Sequence, residues 1–134
     1  MPGAETIVRE VIVGSPFASL VGVEAETVAP GRVRLRLPFR PALTTVADVV
    51  HGGAIAGLVD VAATAAVWSG ADLEATRRGT TIGFALNFLV AARGELAATA
   101  QVIQRGRTIC VCDVVVEATD GTPVARALVT YKIG

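Results

Sequence analysis

The chain is short of the side chains that most catalytic sites are built from. Among 134 residues it has one histidine, two cysteines, one tryptophan, one tyrosine and one methionine. Cys110 and Cys112 stand two apart in "TICVCDVVV", so in a strand they share a face. A pair so close makes no useful disulfide staple, and both read as small buried apolar residues. With one histidine, two cysteines that point into the core, and no further carboxylate near His51 and Asp60, zinc has no ligand set, so no metal site is expected. Charge is scarce and balanced, with 12 basic against 12 acidic residues and a net charge of zero. That balance argues against a nucleic-acid partner held by bulk charge. The chain shows no basic, apolar, small-residue leader at its N-terminus, which leads to the expectation of a cytoplasmic protein. It also lacks internal repeats, linkers and low-complexity tracts, so residues 1–134 read as one domain. Apolar residues, by contrast, are plentiful at 52%. A load of that size predicts an oligomer that hides surface at subunit contacts.

Periodicity supplies the elements. "AETIVREVIV", residues 4–13, predicts a short helix stopped by Gly14 and Pro16. "SPFASLVGVEAETVAPGRVRLRLPFR" then reads as loop, strand, turn, strand. In "RVRLRLP" Val33, Leu35 and Leu37 take one face and Arg32, Arg34 and Arg36 the other. Three arginines at period two suit a solvated sheet face, with phosphate binding as the alternative. From residue 80 four strands are expected, with hairpin signals at Arg93-Gly94, Gly106 and Asp120-Gly121. Between the two groups lies "VVHGGAIAGLVDVAATAAVWSG", predicting one long helix over roughly 53–69. Its length invites a transmembrane reading. Its Ala and Gly content, its central Asp60 and its lack of basic flanks turn that reading down. A helix apolar all round and too polar for lipid belongs in a globular core. The expectation is an α+β domain, a four-strand antiparallel meander and a preceding hairpin wrapped around one helix.

Asp60 is the only charged side chain between His51 and Asp72. A buried, unpaired carboxylate raises its pKa, the condition wanted of a catalytic base or nucleophile. The bland alternative is an unseen partner such as a strand amide or an arginine. His51 and Asp60 are nine residues apart, two and a half helical turns, so within one chain they point to opposite sides. They form neither an acid–base pair nor, with a serine, a triad. Gly52 and Gly53 let a ligand oxygen approach the backbone, and the first amides of a helix point outward unpaired. Such amides can stabilise an oxyanion, although an ordinary helix start with a packed His51 would look the same. If Asp60 and the Gly52 amide serve one centre, they come from different subunits of a symmetric dimer.

These residues resemble the hotdog-fold thioesterase superfamily, and within it the PaaI-like acyl-CoA thioesterases of phenylacetic-acid degradation. The resemblance runs nearly end to end, on the opening strands, on the HGG-x(6)-Asp helix of residues 51–60 and on the four-strand tail. It implies a hotdog fold, a curved antiparallel sheet around a central helix, dimerised edge to edge and often paired into a dimer of dimers. It implies that Asp60 is the general base or nucleophile and that the Gly52 N–H polarises the thioester carbonyl in the other subunit. His51 would support that loop or lie near the thioester, Gly53 would contact the substrate, and Thr81 would assist the water. The turn Arg105–Gly106–Arg107 would meet the CoA phosphates, and no cofactor beyond the substrate's own coenzyme A is implied.

Four positions depart from the family pattern. Thr45 stands where relatives often carry a substrate-orienting Asn, Val90 and Ala91 replace an Arg-Pro pair, and Gly83 replaces an Asp. Arg77 and Arg78 would suit phosphates as well as Arg105 and Arg107 do, and each could equally be a solvated loop residue. The leading expectation is hydrolysis of an acyl- or arylacyl-CoA to acid and free CoA. A hotdog domain that binds acyl-CoA without turnover, as sensor or carrier, is the alternative. An enoyl-CoA hydratase ranks last for want of a carboxylate–histidine pair. Around Asp60 the Ala-rich helix leaves room for an aryl or medium-chain group, unless Trp68, Phe84, Phe88 and Leu89 close it.

Overall fold

The computed structural model describes residues 3–134. Helix α1 (Ala4–Thr6) runs directly into a π-helical turn, Ile7–Ile12, in which Val13 N–H donates to the Val8 carbonyl at 2.9 Å. Residues 16–21, expected as loop, form a second helix, α2 (Pro16–Val21). The local chemistry explains it: Ser15 is extended at the N-cap and Pro16 occupies the first helical position. Gly22 at φ 91° ends the helix, where only glycine sits without strain.

Strands β1 (Glu24–Ala29) and β2 (Arg32–Leu37) make the expected hairpin. On β2, Val33, Leu35 and Leu37 are buried while the arginines face outward. The outward face is a charge ladder. Arg34 meets Glu26 at 2.6 Å and Glu117 at 2.9 Å, and Arg36 meets Glu24 at 2.7 Å. The Glu117 hydrogen bond holds the Arg34 guanidinium above its usual pKa despite partial desolvation. Matched glutamates leave these two arginines no call on a phosphate.

Helix α3 (Gly52–Ser69) is followed by β3 (Gly79–Phe88), β4 (Leu96–Arg105), β5 (Ile109–Ala118) and β6 (Pro123–Ile133). All pairs are antiparallel and the sheet order is β1-β2-β4-β5-β6-β3. The four-strand meander is therefore corrected at one joint. β3 pairs with β6 and not with β4, and Arg93-Gly94 closes no hairpin. Gly94 does turn, at φ 72°, but within a crossing segment. Residues 89–95 can extend over roughly 23 Å, enough to pass three strand spacings totalling about 14 Å. The crossing is pinned by Leu89 N–H to Val124 O and Val50 N–H to Ala92 O, both 2.8 Å.

The sheet curls around α3, whose alanines let the backbones approach closely. Leu58, Val59, Ala62, Ala63, Ala65, Ala66 and Val67 are fully buried against it. Both cysteines face this core, as expected, and burial pushes the Cys112 thiol up to about 12. The helix is long and apolar enough to span a bilayer, yet a little over half of it is buried inside the fold. It is not buried all round. A stripe at i, i+3, i+4 spacing, Gly57, Asp60, Val61, Thr64 and Trp68, is only half-buried and faces away from the middle of the sheet. Asp60 sits on that stripe.

Candidate active site

Asp60 is thus neither deeply buried nor unpartnered, which corrects the expectation from its apolar neighbours. Thr81, at the start of β3, donates its hydroxyl to Asp60 Oδ1 at 2.6 Å. The bond is short and charge-assisted, so it holds one carboxylate oxygen and leaves Oδ2 to face the space beyond. That space is an apolar cavity of about 320 Å³ lined by Val11, Ile12, Phe17, Val61 and Thr64. The Phe17 ring lies on the helix at Gly57, where an added Cβ would come within 2.9 Å of it.

Behind Thr81, its cross-strand neighbour on β6 is Tyr131, whose hydroxyl accepts the Trp68 indole N–H at 2.9 Å. Burial raises the Tyr131 pKa, opposed by the Trp68 bond and reinforced by the Asp60 charge. The phenol stays protonated. Gly79 is glycine for this reason, since its Cβ would stand 2.5 Å from the Tyr131 oxygen.

At the other end of β3 lies the start of α3. His51 is the N-cap in extended geometry, and its Nδ1 accepts the Gly53 N–H at 2.7 Å. Accepting there leaves the ring proton on Nε2. Ala54 and Ile55 N–H both donate to the His51 carbonyl. Among the described residues, Gly52 N–H alone of these first amides has no partner. The two glycines therefore do different things. Gly53 is spent on the cap, with no room for a Cβ beside the imidazole at 2.9 Å. Gly52 offers its amide, beneath the Phe88 ring at 3.2 Å from an imagined Cβ. A cavity of about 360 Å³ opens there, lined by Thr45, Val49, Gly52, Ile55, Phe88 and Leu89. Thr45 thus shares this cavity with Gly52.

Within one chain the Asp60–Thr81 pair and the Gly52 amide are not brought together. Eight residues of helix, roughly 12 Å, separate Gly52 from Asp60.

The turn between β4 and β5 is placed elsewhere, at the C-terminal end of α3. Arg105 donates to the Val67 carbonyl at 3.0 Å and lies over Gly70, completing the helix terminus with a cation where the dipole is negative. Gly106 is required by the turn itself, since a Cβ would meet the Ile109 carbonyl at 2.7 Å. Both therefore have a structural part in the fold, and Arg107 alone of the three is exposed without a role in the turn's hydrogen bonds. Thr64 was missed, although its i+4 spacing from Asp60 is visible in the sequence. Phe17 and Tyr131 were missed for want of any local signal, because the contacts that matter are tertiary.

Residues 47–125 match the thioesterase superfamily. The chain is 32% identical over 132 residues to a candidate esterase of Halobacterium salinarum, covering 93% of this chain and 87% of that one. In three dimensions it is similar to a thioesterase family protein from Silicibacter pomeroyi, with a TM-score of 0.90 and 30% identity over 98% of each chain. A hypothetical thioesterase from Streptococcus pneumoniae, crystallised with coenzyme A, shares the fold at a TM-score of 0.76 and 24% identity, over 84% of this chain and 86% of that one.

Proposed function

This chain belongs to the thioesterase superfamily, and from that premise we propose that it is a PaaI-like acyl-CoA thioesterase working as a homodimer with shared sites. One observation carries the reading. Asp60–Thr81 marks one end of β3 and the free Gly52 amide, under Phe88, marks the other. β3 is an edge strand, and among the described residues nothing pairs with its outer side. Two copies joined antiparallel along this edge, with Thr81 of one opposite Phe88 of the other, would set Asp60 beside the partner subunit's Gly52. The edge is apolar enough to want a cover. Phe84 and Phe88 pair with buried Val129 and Ala125, so they point to the helix side of the sheet, yet they remain 41% and 54% exposed. Long exposed apolar edges pair with something, and a two-fold axis lets each copy cover the other.

In that dimer the thioester carbonyl oxygen accepts the Gly52 N–H of one subunit. Asp60 of the other, held through Oδ1 by Thr81, takes a proton from water at Oδ2 while the water oxygen attacks. The C–S bond then breaks and the proton passes to the departing thiolate. The same carboxylate could instead attack directly, giving a mixed anhydride that water opens. Single turnover in ¹⁸O water separates the routes, since only the anhydride route can leave label in Asp60. An oxyanion donor is typically worth about 10²–10³ in rate and a general base about 10²–10⁴. The acyl group enters the apolar cavity beside Asp60. At about 30 Å³ per heavy atom, the volume a water occupies, its 320 Å³ suits an aryl or medium-chain acid. Support for a CoA thioester comes from the coenzyme A bound to the similar fold from Streptococcus pneumoniae.

The test is thiol release from short, medium, long and aryl acyl-CoAs by the wild type, Asp60→Asn and Asp60→Ala. Turnover that falls at least about a hundredfold in kcat in both folded variants is expected. Unchanged turnover in the variants would refute the role given to Asp60, and binding without turnover by the wild type would point to an acyl-CoA-binding domain.

A further inference from the structure

Tyr131 is the only tyrosine of the chain and Trp68 the only tryptophan, and the two are hydrogen-bonded to each other. Trp68 stands in the last turn of α3, where it lines a cavity of about 660 Å³ with Arg77, Arg78 and Lys132. From there the helix presents Trp68, Thr64 and Asp60 at four-residue steps, so the three side chains form a row. Two neighbouring strands meet that row. Tyr131 on β6 reaches it at Trp68, and Thr81, the cross-strand neighbour of Tyr131 on β3, reaches it at Asp60. Thr64 lies between these two anchors. Its hydroxyl comes beside the Tyr131 oxygen, and it shares the lining of the Asp60 cavity.

Hydrogen-bond polarity gives the row a direction. An indole N–H only donates, so the Tyr131 oxygen accepts from Trp68 and keeps its own proton to give. Tyr131 is 3% exposed, and a buried hydroxyl proton calls for a protein acceptor. The hydroxyl at hand is that of Thr64. Accepting there leaves the Thr64 proton to point four residues back along the helix, to the Asp60 side of the cavity. The Asp60 charge is itself felt at the phenol, where burial comes first in raising the pKa and that charge adds to it. Resting on the thioesterase reading, we propose that Tyr131 is a positioning residue: backed by Trp68, it aims the Thr64 hydroxyl at the water that Asp60 Oδ2 deprotonates. The water oxygen then accepts from Thr64 while one of its hydrogens goes to Asp60, and its free lone pair is turned to the thioester carbon. Thr81 fixes the carboxylate through Oδ1, and the chain from Tyr131 fixes the water. Tyr131 itself touches neither water nor substrate.

Tyr131→Phe deletes one oxygen and keeps the ring. With thermal unfolding to certify the fold, kcat for an acyl-CoA should fall about tenfold while KM stays within about twofold, since the water and not the substrate loses its holder. Thr64→Val should cost about as much and Thr64→Ser should recover most of it. The double variant Tyr131→Phe/Thr64→Val should be no worse than Thr64→Val alone, because both act through one bond. A pair that merely ties α3 to β6 would instead lower the unfolding midpoint and leave kcat intact. One tryptophan gives one indole N–H resonance, which reads the same chain without turnover. The charged side chains that line the cavity with the indole, Arg77, Arg78 and Lys132, are all basic. The resonance should therefore move at acid pH as Asp60 gains its proton, and stop moving in Asp60→Asn and in Tyr131→Phe. Unchanged kcat in Tyr131→Phe, losses that simply multiply in the double variant, or a resonance indifferent to Asp60 would overturn the proposal. If the wild type hydrolyses no acyl-CoA the thioesterase reading fails, and the resonance still decides whether Tyr131 links Trp68 to Asp60.

Discussion

Gly52→Pro isolates the oxyanion donor with little disturbance to the fold. Gly52 is the first residue of α3, the helical position proline tolerates best, and its N–H holds up no bond among the described residues. His51 before it is already extended at φ −61° and ψ 135°, the conformation a residue preceding proline prefers. The one crowded contact is the Phe88 ring, 3.2 Å from a Cβ at this position, and a shift of a few tenths of an ångström in that side chain relieves it. Stability should therefore change by no more than about 1 kcal/mol in either direction. Catalysis should not be spared, because removing one oxyanion donor typically costs about 10²–10³ in kcat, or roughly 2.7–4 kcal/mol. The assay is thiol release at saturating acyl-CoA, with thermal unfolding to certify the fold. A folded Gly52→Pro within threefold of wild-type kcat would refute the donor. Mixing takes the reasoning further. Unfolded together and refolded at equal amounts, inactive Gly52→Pro and inactive Asp60→Asn should regain about a quarter of wild-type activity. Half the dimers are then mixed and each mixed dimer keeps one intact site. A mixture that forms mixed dimers and stays inactive would refute sharing of the site between subunits.

Thr81→Val keeps the shape and deletes the donor to Asp60. It should lower kcat about 10- to 100-fold, since a hydrogen bond to a charged group is worth about 1.5–3 kcal/mol, while Thr81→Ser should recover most of the loss. Arg105→Ala removes a cation and a hydrogen bond from the end of α3, so thermal unfolding should show roughly 1 kcal/mol of lost stability with KM for acyl-CoA little changed. A large KM effect instead would return Arg105 to the substrate. The Cys112 thiol, raised by burial from 9.0 to about 12, stays neutral in the fold while the unfolded chain ionises. Its contribution is thus fully present below pH 9 and lost as pH rises toward 12. Unfolding midpoints should fall across that alkaline range, and less steeply in Cys112→Ala. An identical slope in the two proteins would show that the thiol is not the group responsible.

Local chemistry alone determined a good deal about this protein. The alternation in β2, the Gly106 and Asp120-Gly121 turns, the long Ala-rich helix and the inward cysteines were all legible, because each is decided by neighbours two to four residues away. So were the two ends of the candidate site, since a lone carboxylate in an apolar helix and an HGG at its start stand out against their surroundings. What lay beyond reach depended on segments far apart in the chain. A turn signal at Arg93-Gly94 looks the same whether the chain folds back on itself or crosses two strands, and only the closing of the sheet around α3 selected the crossing. Burial of Asp60 was overestimated because apolar sequence neighbours on a helix point in every direction, and the sheet covers only some of them. The same geometry took Arg105 to the end of the helix, gathered Arg77, Arg78 and Lys132 around Trp68, and set Thr81 against Asp60. Tertiary structure alone decided which polar groups meet, because a side chain's partners are fixed by which strands lie side by side, and that is settled by the packing of the whole sheet.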